Sequence, residues 1–201
     1  MTNRYAVLGW GSLLWDLDDL EPKVSGDWHM LAGPALPMEF ARVSPKRKMG
    51  LVLCLDADQG HPCPTHAIAS VRESLAEVVE DLAARERTGT DQIGGVCLAT
   101  GDRQGREDIA ATIADWCGRA GWKGAVWTDL KTNYAERLGT GFSIPHATAY
   151  LRGLTGESLD EAVRYIHNAP ATTDTPLRRS LATDPWWQAE VARISALAPG
   201  G

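Results

Sequence analysis

Arg4-Tyr5-Ala6-Val7-Leu8-Gly9-Trp10-Gly11-Ser12-Leu13-Leu14-Trp15-Asp16 is the stretch on which the fold turns. Residues 4 to 8 form a short, mainly apolar run that suits a strand, and Gly9-Trp10-Gly11 carries it into a tight turn. Two glycines one residue apart let the backbone bend sharply and come close to a ligand. The N–H groups of residues 10 to 13 are then expected to form a nest for an anion or a carbonyl oxygen. A plain strand-to-loop turn is the competing reading of the same residues. A dinucleotide fingerprint is excluded: its third glycine would fall at position 14, where Leu14 stands. No strand–helix–strand unit with a ribose-binding acid follows at the right distance either.

Outward from this turn the first part of the chain reads as β-rich. Pro37 to Val43 alternates, with Met38, Phe40 and Arg42 on one face and Glu39, Ala41 and Val43 on the other. Pro45 to Gly50 is a basic loop, Leu51 to Leu55 a buried strand, and Ala67 to Val71 a further strand. His61-Pro62-Cys63-Pro64 cannot sit in a central strand, because two prolines lack the N–H that the ladder needs. Ser74-Leu75-Ala76-Glu77 is a capping box opening a helix to about Arg87, with Gly89 as its stop. Gly95 to Thr100 is expected as a strand, Arg106 to Ala120 as an amphipathic helix stopped at Gly121, and Lys123 to Leu130 as a strand.

Beyond Leu130 the pattern turns helical. Asn133 to Gly141 reads as loop and Pro145 to Leu151 as a short helix. Ser158-Leu159-Asp160-Glu161 reads as a second capping box, and Asp184-Pro185 as the start of a last helix through about Leu197. The fold class expected is α/β (α+β). Residues 1–130 form the main domain, and 131–201 form a helical extension packed on it.

The chain has 201 residues, with 20 Lys and Arg against 26 Asp and Glu, a formal net charge of −6. That acidic balance argues against a nucleic-acid partner, which needs a basic face. No run approaches a membrane span, so no membrane partner is expected. The N-terminal residues lack the basic and long apolar regions of a secretory signal, and the expected location is cytoplasmic. Cys54, Cys63, Cys97 and Cys117 are too few and too spread for a disulfide scaffold and read as buried small hydrophobes.

Glu86 is the candidate for chemistry. At about 100° per residue, Leu75, Val79, Leu82 and Glu86 fall at roughly 0°, 40°, 340° and 20° around the helix, so Glu86 lies within the apolar stripe. Glu73, Glu77, Glu80 and Asp81 fall on what reads as the solvent side. A carboxylate on a buried face, in the last turn of a helix, has both burial and the macrodipole favouring its neutral form. Such a group suits general acid/base work. The alternative is a frayed helix end with Glu86 paired to Arg85, Arg87 or another surface cation.

Gly9-Trp10-Gly11-Ser12-Leu13-Leu14-Trp15 resembles the Gly-Tyr-Gly-Ser-Leu-Ile/Met-Trp signature of the γ-glutamylcyclotransferase superfamily, most closely its glutathione-specific branch. Leu82-Ala83-Ala84-Arg85-Glu86-Arg87 looks like that family's Leu-x-x-Arg-Glu motif. The order agrees too, and the similarity covers about residues 4 to 100, more loosely to 130. The resemblance implies a mixed, partly barrel-like sheet of the γ-glutamylcyclotransferase-like type. It implies that Gly9, Trp10, Gly11, Ser12 and Leu13 hold the γ-glutamyl group of a small-molecule substrate. Glu86 would take a proton from the substrate's α-amine, which attacks the γ-carbonyl, and would then protonate the departing amine. The products are 5-oxoproline and the released amine, with no cofactor and no metal, since intramolecular attack needs only orientation, proton transfer and oxyanion donors. Trp10 stands where the family has Tyr, Thr88-Gly89-Thr90-Asp91 lacks the aromatic that often follows the Glu, and the region after Leu130 has no counterpart in the glutathione-specific enzymes.

Other groups carry weaker signals. Lys46, Arg47 and Lys48 read as a solvated loop, with Arg42 and Arg47 as candidates to meet a substrate carboxylate. Cys54, His61, Cys63 and His66 are metal-ligand types in a non-standard spacing. Cys97 or Cys117 with His146 or His167 would make a cysteine-nucleophile hydrolase. His167 and Asn168 read as a helix end, and Trp186-Trp187 as core or oligomer contact, which leaves a homodimer open. A small-metabolite binding module, or an amide hydrolase or acyltransferase, are the alternatives to cyclotransfer.

Overall fold

The structure, a computed structural model, describes residues 2–197. It is mixed α and β, and the chain forms two compact units: residues 1–36 with 64–130, and residues 37–63 with 131–201. Residues 37–63 thus group with the C-terminal helices.

The first unit is built on a six-stranded sheet. Its strands are β1 (Thr2–Gly9), β2 (Val24–His29), β6 (His66–Ser70), β7 (Ile93–Cys97), β8 (Arg103–Gln104) and β9 (Trp122–Thr128). The order is β2-β6-β1-β9-β7-β8, an open sheet rather than a closed barrel among the described residues. β1 is central because Tyr5 to Leu8 is buried on both faces. It pairs antiparallel with β6, Gly9 opposite His66, and parallel with β9, Val7 opposite Val126, so the sheet is mixed.

Helix α1 (Leu75–Glu86) begins where the sequence places it: Ser74 accepts from the Glu77 N–H, and Glu77 reaches back to complete the capping box. Val78, Val79 and Leu82 of α1 join Tyr5, Val7, Ile68 and Val126 in one apolar cluster. Helix α2 (Glu107–Ala120) buries Ile109, Ile113 and Cys117 and ends at Gly121, which takes the left-handed conformation a C-cap needs (φ 80°). β7 starts and ends earlier than the sequence suggests. Gly94 lies under the Trp127 indole, where a Cβ would come within 2.0 Å of the ring, and Gly101 bends the chain back with its N–H on the Cys97 carbonyl.

The second unit carries a three-stranded sheet ordered β4-β3-β5, from β3 (Ala35–Ser44), β4 (Gly50–Leu55) and β5 (His61–Pro64). β5, with its two prolines, is an edge strand, as the missing N–H groups require. Its helices are α3 (Tyr134–Leu138), α4 (Ile144–Gly153), α5 (Gly156–Asn168), α6 (Pro176–Ala182) and α7 (Pro185–Leu197). α3 replaces an expected loop. α5 opens at Thr155 rather than at Ser158, because Gly156 (φ 54°) lets the chain enter the helix earlier. Asp184 starts α7 as expected, accepting the Trp186 N–H at 2.9 Å. Trp187 is buried in the core and stands 5.8 Å from Trp186, ring to ring. No helix among the described residues is long and apolar enough to cross a membrane.

Candidate functional site

The glycine turn leaves β1 at Gly9 and continues into a single 3-10 turn, Ser12–Leu14. Gly9 is required by packing: a Cβ there would stand 2.7 Å from the Trp28 ring and 3.3 Å from Leu13. Trp28 therefore walls the turn, a contact no local sequence pattern announces. The turn closes on itself, with the Leu14 N–H on the Gly11 carbonyl and the Trp15 and Asp16 N–H groups on the Ser12 carbonyl. Among the described residues, the N–H groups of Trp10, Gly11, Ser12 and Leu13 have no backbone acceptor. Trp10 and Gly11 are buried and Ser12 is half-buried. The Leu13 side chain belongs to the apolar cluster, so only its N–H is available to a ligand.

Glu86 is the last residue of α1, and Arg87 caps the helix in the left-handed conformation (φ 55°). The helix therefore stops three residues before Gly89. Arg87 donates to Asp18 at 2.9 Å, tying the cap to the chain just after the glycine turn. Glu86 is half-buried, its side chain 19% exposed, and one carboxylate oxygen accepts from the Arg85 guanidinium at 2.8 Å. The Arg85 side chain is 2% exposed. Its other terminal nitrogen donates to the Asp16 carbonyl, at the end of the glycine turn. Glu86 and the turn, about 70 residues apart in the chain, are thus joined through one buried cation. The pairing with Arg85 anticipated for a frayed end does form, but on an arginine that is itself buried.

Asp81 departs from expectation: it is buried instead of facing solvent. Lys23 lies 3.1 Å from one carboxylate oxygen, and Arg72 donates to the other at 2.6 Å. Burial pushes this acid up, but the hydrogen bonds from Arg72 and Lys23 outweigh burial and hold it below the usual aspartate range. The cause lies in the width of the buried arc. Val78, Asp81 and Arg85 fall at roughly 300°, 240° and 280°, beside the stripe traced by Leu75, Val79 and Leu82. α1 packs against both the sheet and the 3-10 segment Asp18–Lys23, so the arc it buries exceeds the stripe of its apolar residues. The same wheel could have flagged Arg85, which lies next to Val78.

Arg42 lies in the second unit, on β3, where it donates to the Lys131 carbonyl at 2.5 Å. Burial lowers its pKa from the ordinary arginine value. Arg47 and Lys48 are not free in solvent. They pair with Glu161 at 2.8 Å and Glu157 at 2.6 Å, both on α5.

All four cysteines are buried with free thiols. Burial pushes Cys117 up to about 12. Cys97 is different: burial opposes its ionisation, but hydrogen bonds from Thr100 and Tyr5 outweigh it and bring the thiol down to about 7. The Tyr5 hydroxyl donates to its sulfur at 3.2 Å. Among the described residues no histidine bonds to this thiol. In the second unit a cavity of about 400 Å³ is lined mainly by Ile166, Trp187, Val191 and Ala192. Among the described residues no group of three or more His, Cys, Asp or Glu side chains could hold a metal ion.

Compared with family models, with curated proteins and with solved structures, the chain gives no match.

Proposed function

We propose that the chain is a γ-glutamylcyclotransferase-like enzyme that converts a γ-glutamyl-amine or γ-glutamyl peptide to 5-oxoproline with release of the amine. Glu86 is its general acid/base, and the turn Gly9 to Leu13 binds the γ-glutamyl group. The finer description of the sheet as partly barrel-like, of the type that family carries, belongs to the same proposal. The observation that carries it is the Arg85 bridge between the Glu86 carboxylate and the end of a turn whose N–H groups at 10 to 13 lack backbone acceptors.

The chemistry follows from these groups. Backbone donors aimed at the γ-carbonyl favour the oxyanion that forms when the α-amine attacks. Glu86 takes the proton from that amine and gives it to the leaving nitrogen. Ring closure within one substrate molecule has a high effective concentration, so orientation supplies much of the rate.

A binding module is favoured by one observation, the occupation of a Glu86 oxygen by Arg85. Incubation with a panel of γ-glutamyl compounds separates the two. A cyclotransferase releases 5-oxoproline, and Glu86→Gln lowers turnover by about 10²–10⁴-fold while binding persists. Ligand-dependent stabilisation without product identifies the binding module, and turnover unchanged by Glu86→Gln removes the assignment.

A further inference from the structure

We infer that Arg85 is the positioning residue of the site: one buried guanidinium sets the Glu86 carboxylate and the closing peptide of the glycine turn relative to each other. The inference rests on the cyclotransferase reading, which assigns no role to Arg85.

Neighbouring residues on a helix point about 100° apart and do not ordinarily face each other. Arg85 nevertheless folds onto Glu86, its terminal nitrogen 2.8 Å from the carboxylate. It does so from a position where its own side chain is 2% exposed. A guanidinium removed from water must find oxygen partners, and it presents its donors as a rigid planar fork. One terminal nitrogen meets Glu86 and the other meets the Asp16 carbonyl. The fixed separation of the two nitrogens therefore becomes a fixed relation between the acid and the turn. Its Nε is buried without a hydrogen-bond partner, so among the described residues its side-chain hydrogen bonds are those to Glu86 and Asp16. The Asp16 N–H bonds back to the Ser12 carbonyl, so the peptides that Arg85 anchors are continuous with those that carry the free N–H groups. Arg87 and Asp18 add a second strap at the surface, but among the described residues Arg87 makes no hydrogen bond to Glu86 and cannot take over this role.

A lysine keeps the charge but has a single ammonium, which cannot hold both partners in a plane; a glutamine loses the charge as well. The consequence is a graded loss that falls on kcat. Arg85→Lys is expected to lower kcat about 10-fold and Arg85→Gln about 100-fold, with KM within about twofold in both, because the turn still binds while the acid is misplaced. Amide hydrogen exchange supplies a readout independent of turnover. Leu14, Trp15 and Asp16 should exchange at least about 10-fold faster in Arg85→Lys, while the amides of α2 stay at wild-type rates. Glu86→Gln, which leaves Arg85 in place, should not change exchange at these three positions.

Equal losses in both Arg85 variants, a change confined to KM, or exchange at residues 14–16 matching wild type would each overturn the inference. If wild type yields no 5-oxoproline from any γ-glutamyl compound, the functional reading fails. Local exchange in Arg85→Lys then still decides whether the arginine holds the turn. Should Arg85→Gln not fold, the lysine variant alone carries both measurements.

Discussion

Asp81 and Glu39 are buried carboxylates, one in each unit, and they are satisfied by different kinds of partner. Asp81 has two cations, Lys23 and Arg72, against it. Glu39 is 0% exposed and has none among the described residues. Its two oxygens accept the N–H of Phe40 at 2.7 Å and of Leu177 at 3.0 Å. The Thr175 hydroxyl bonds to it as well. Burial raises Glu39 above the ordinary glutamate range, and these neutral donors offset that only in part. The pairing of β3 with β4 slips between Glu39 and Arg42, the extra residue of a bulge, and the Glu39 side chain takes up the Phe40 N–H beside it. Its other oxygen holds Leu177 in the first turn of α6. The two acids thus shift in opposite directions: Glu39 is the deeper and meets neutral donors, whereas Asp81 meets two cations.

The largest effect expected from this contrast is that of Glu39→Ala. It strands two buried N–H groups and opens a cavity between β3 and α6, and should cost about 2–4 kcal/mol in urea unfolding. Asp81→Asn should cost less, since Lys23 and Arg72, at 26% and 37% side-chain exposure, can turn to water. A larger loss for Asp81→Asn would reverse the comparison.

The finest test is the sign of the pH dependence. A folded-state value raised above the ordinary 4.5 means that Glu39 favours the native state most at low pH. Its contribution relative to Glu39→Gln should decline as pH rises above about 4.5 and through the raised value. Asp81 is lowered from 3.8, so its contribution relative to Asp81→Asn should hold above that value and be lost as pH falls through the lowered one. Unfolding midpoints of the three proteins across pH 3 to 8 would show slopes of opposite sign; slopes of one sign would mean that the two sites are electrostatically alike.

Local signals made much of the fold legible. The apolar runs gave β1 and β4, Ser74 with Glu77 gave the start of α1, and Gly121 gave the end of α2. Each depends on groups within a few residues of one another. β2 was not legible, because it pairs with β6 across a distant stretch of chain. α6 does carry a local start signal, Thr175 accepting the Arg178 N–H with Pro176 in the first turn, and Glu39 adds a distant partner for the Leu177 N–H. In the candidate site the glycine turn and Glu86 could be read from local pattern and helical angle. Trp28 could not be read as a site residue, and the wheel marks Arg85 only as buried; the role of each comes from a contact far away in sequence.

By itself the sequence determined β1, β4, the start of α1 and the end of α2, and that an acid ends α1 near its buried face, because capping, periodicity and glycine conformation act over a single turn. The tertiary structure alone decided how much of α1 is covered, that Asp81 is enclosed by cations and Glu39 by neutral donors, and that Arg85 reaches from Glu86 to Asp16. Those outcomes depend on which distant groups share a desolvated space, and desolvation is set by packing rather than by neighbours in the chain.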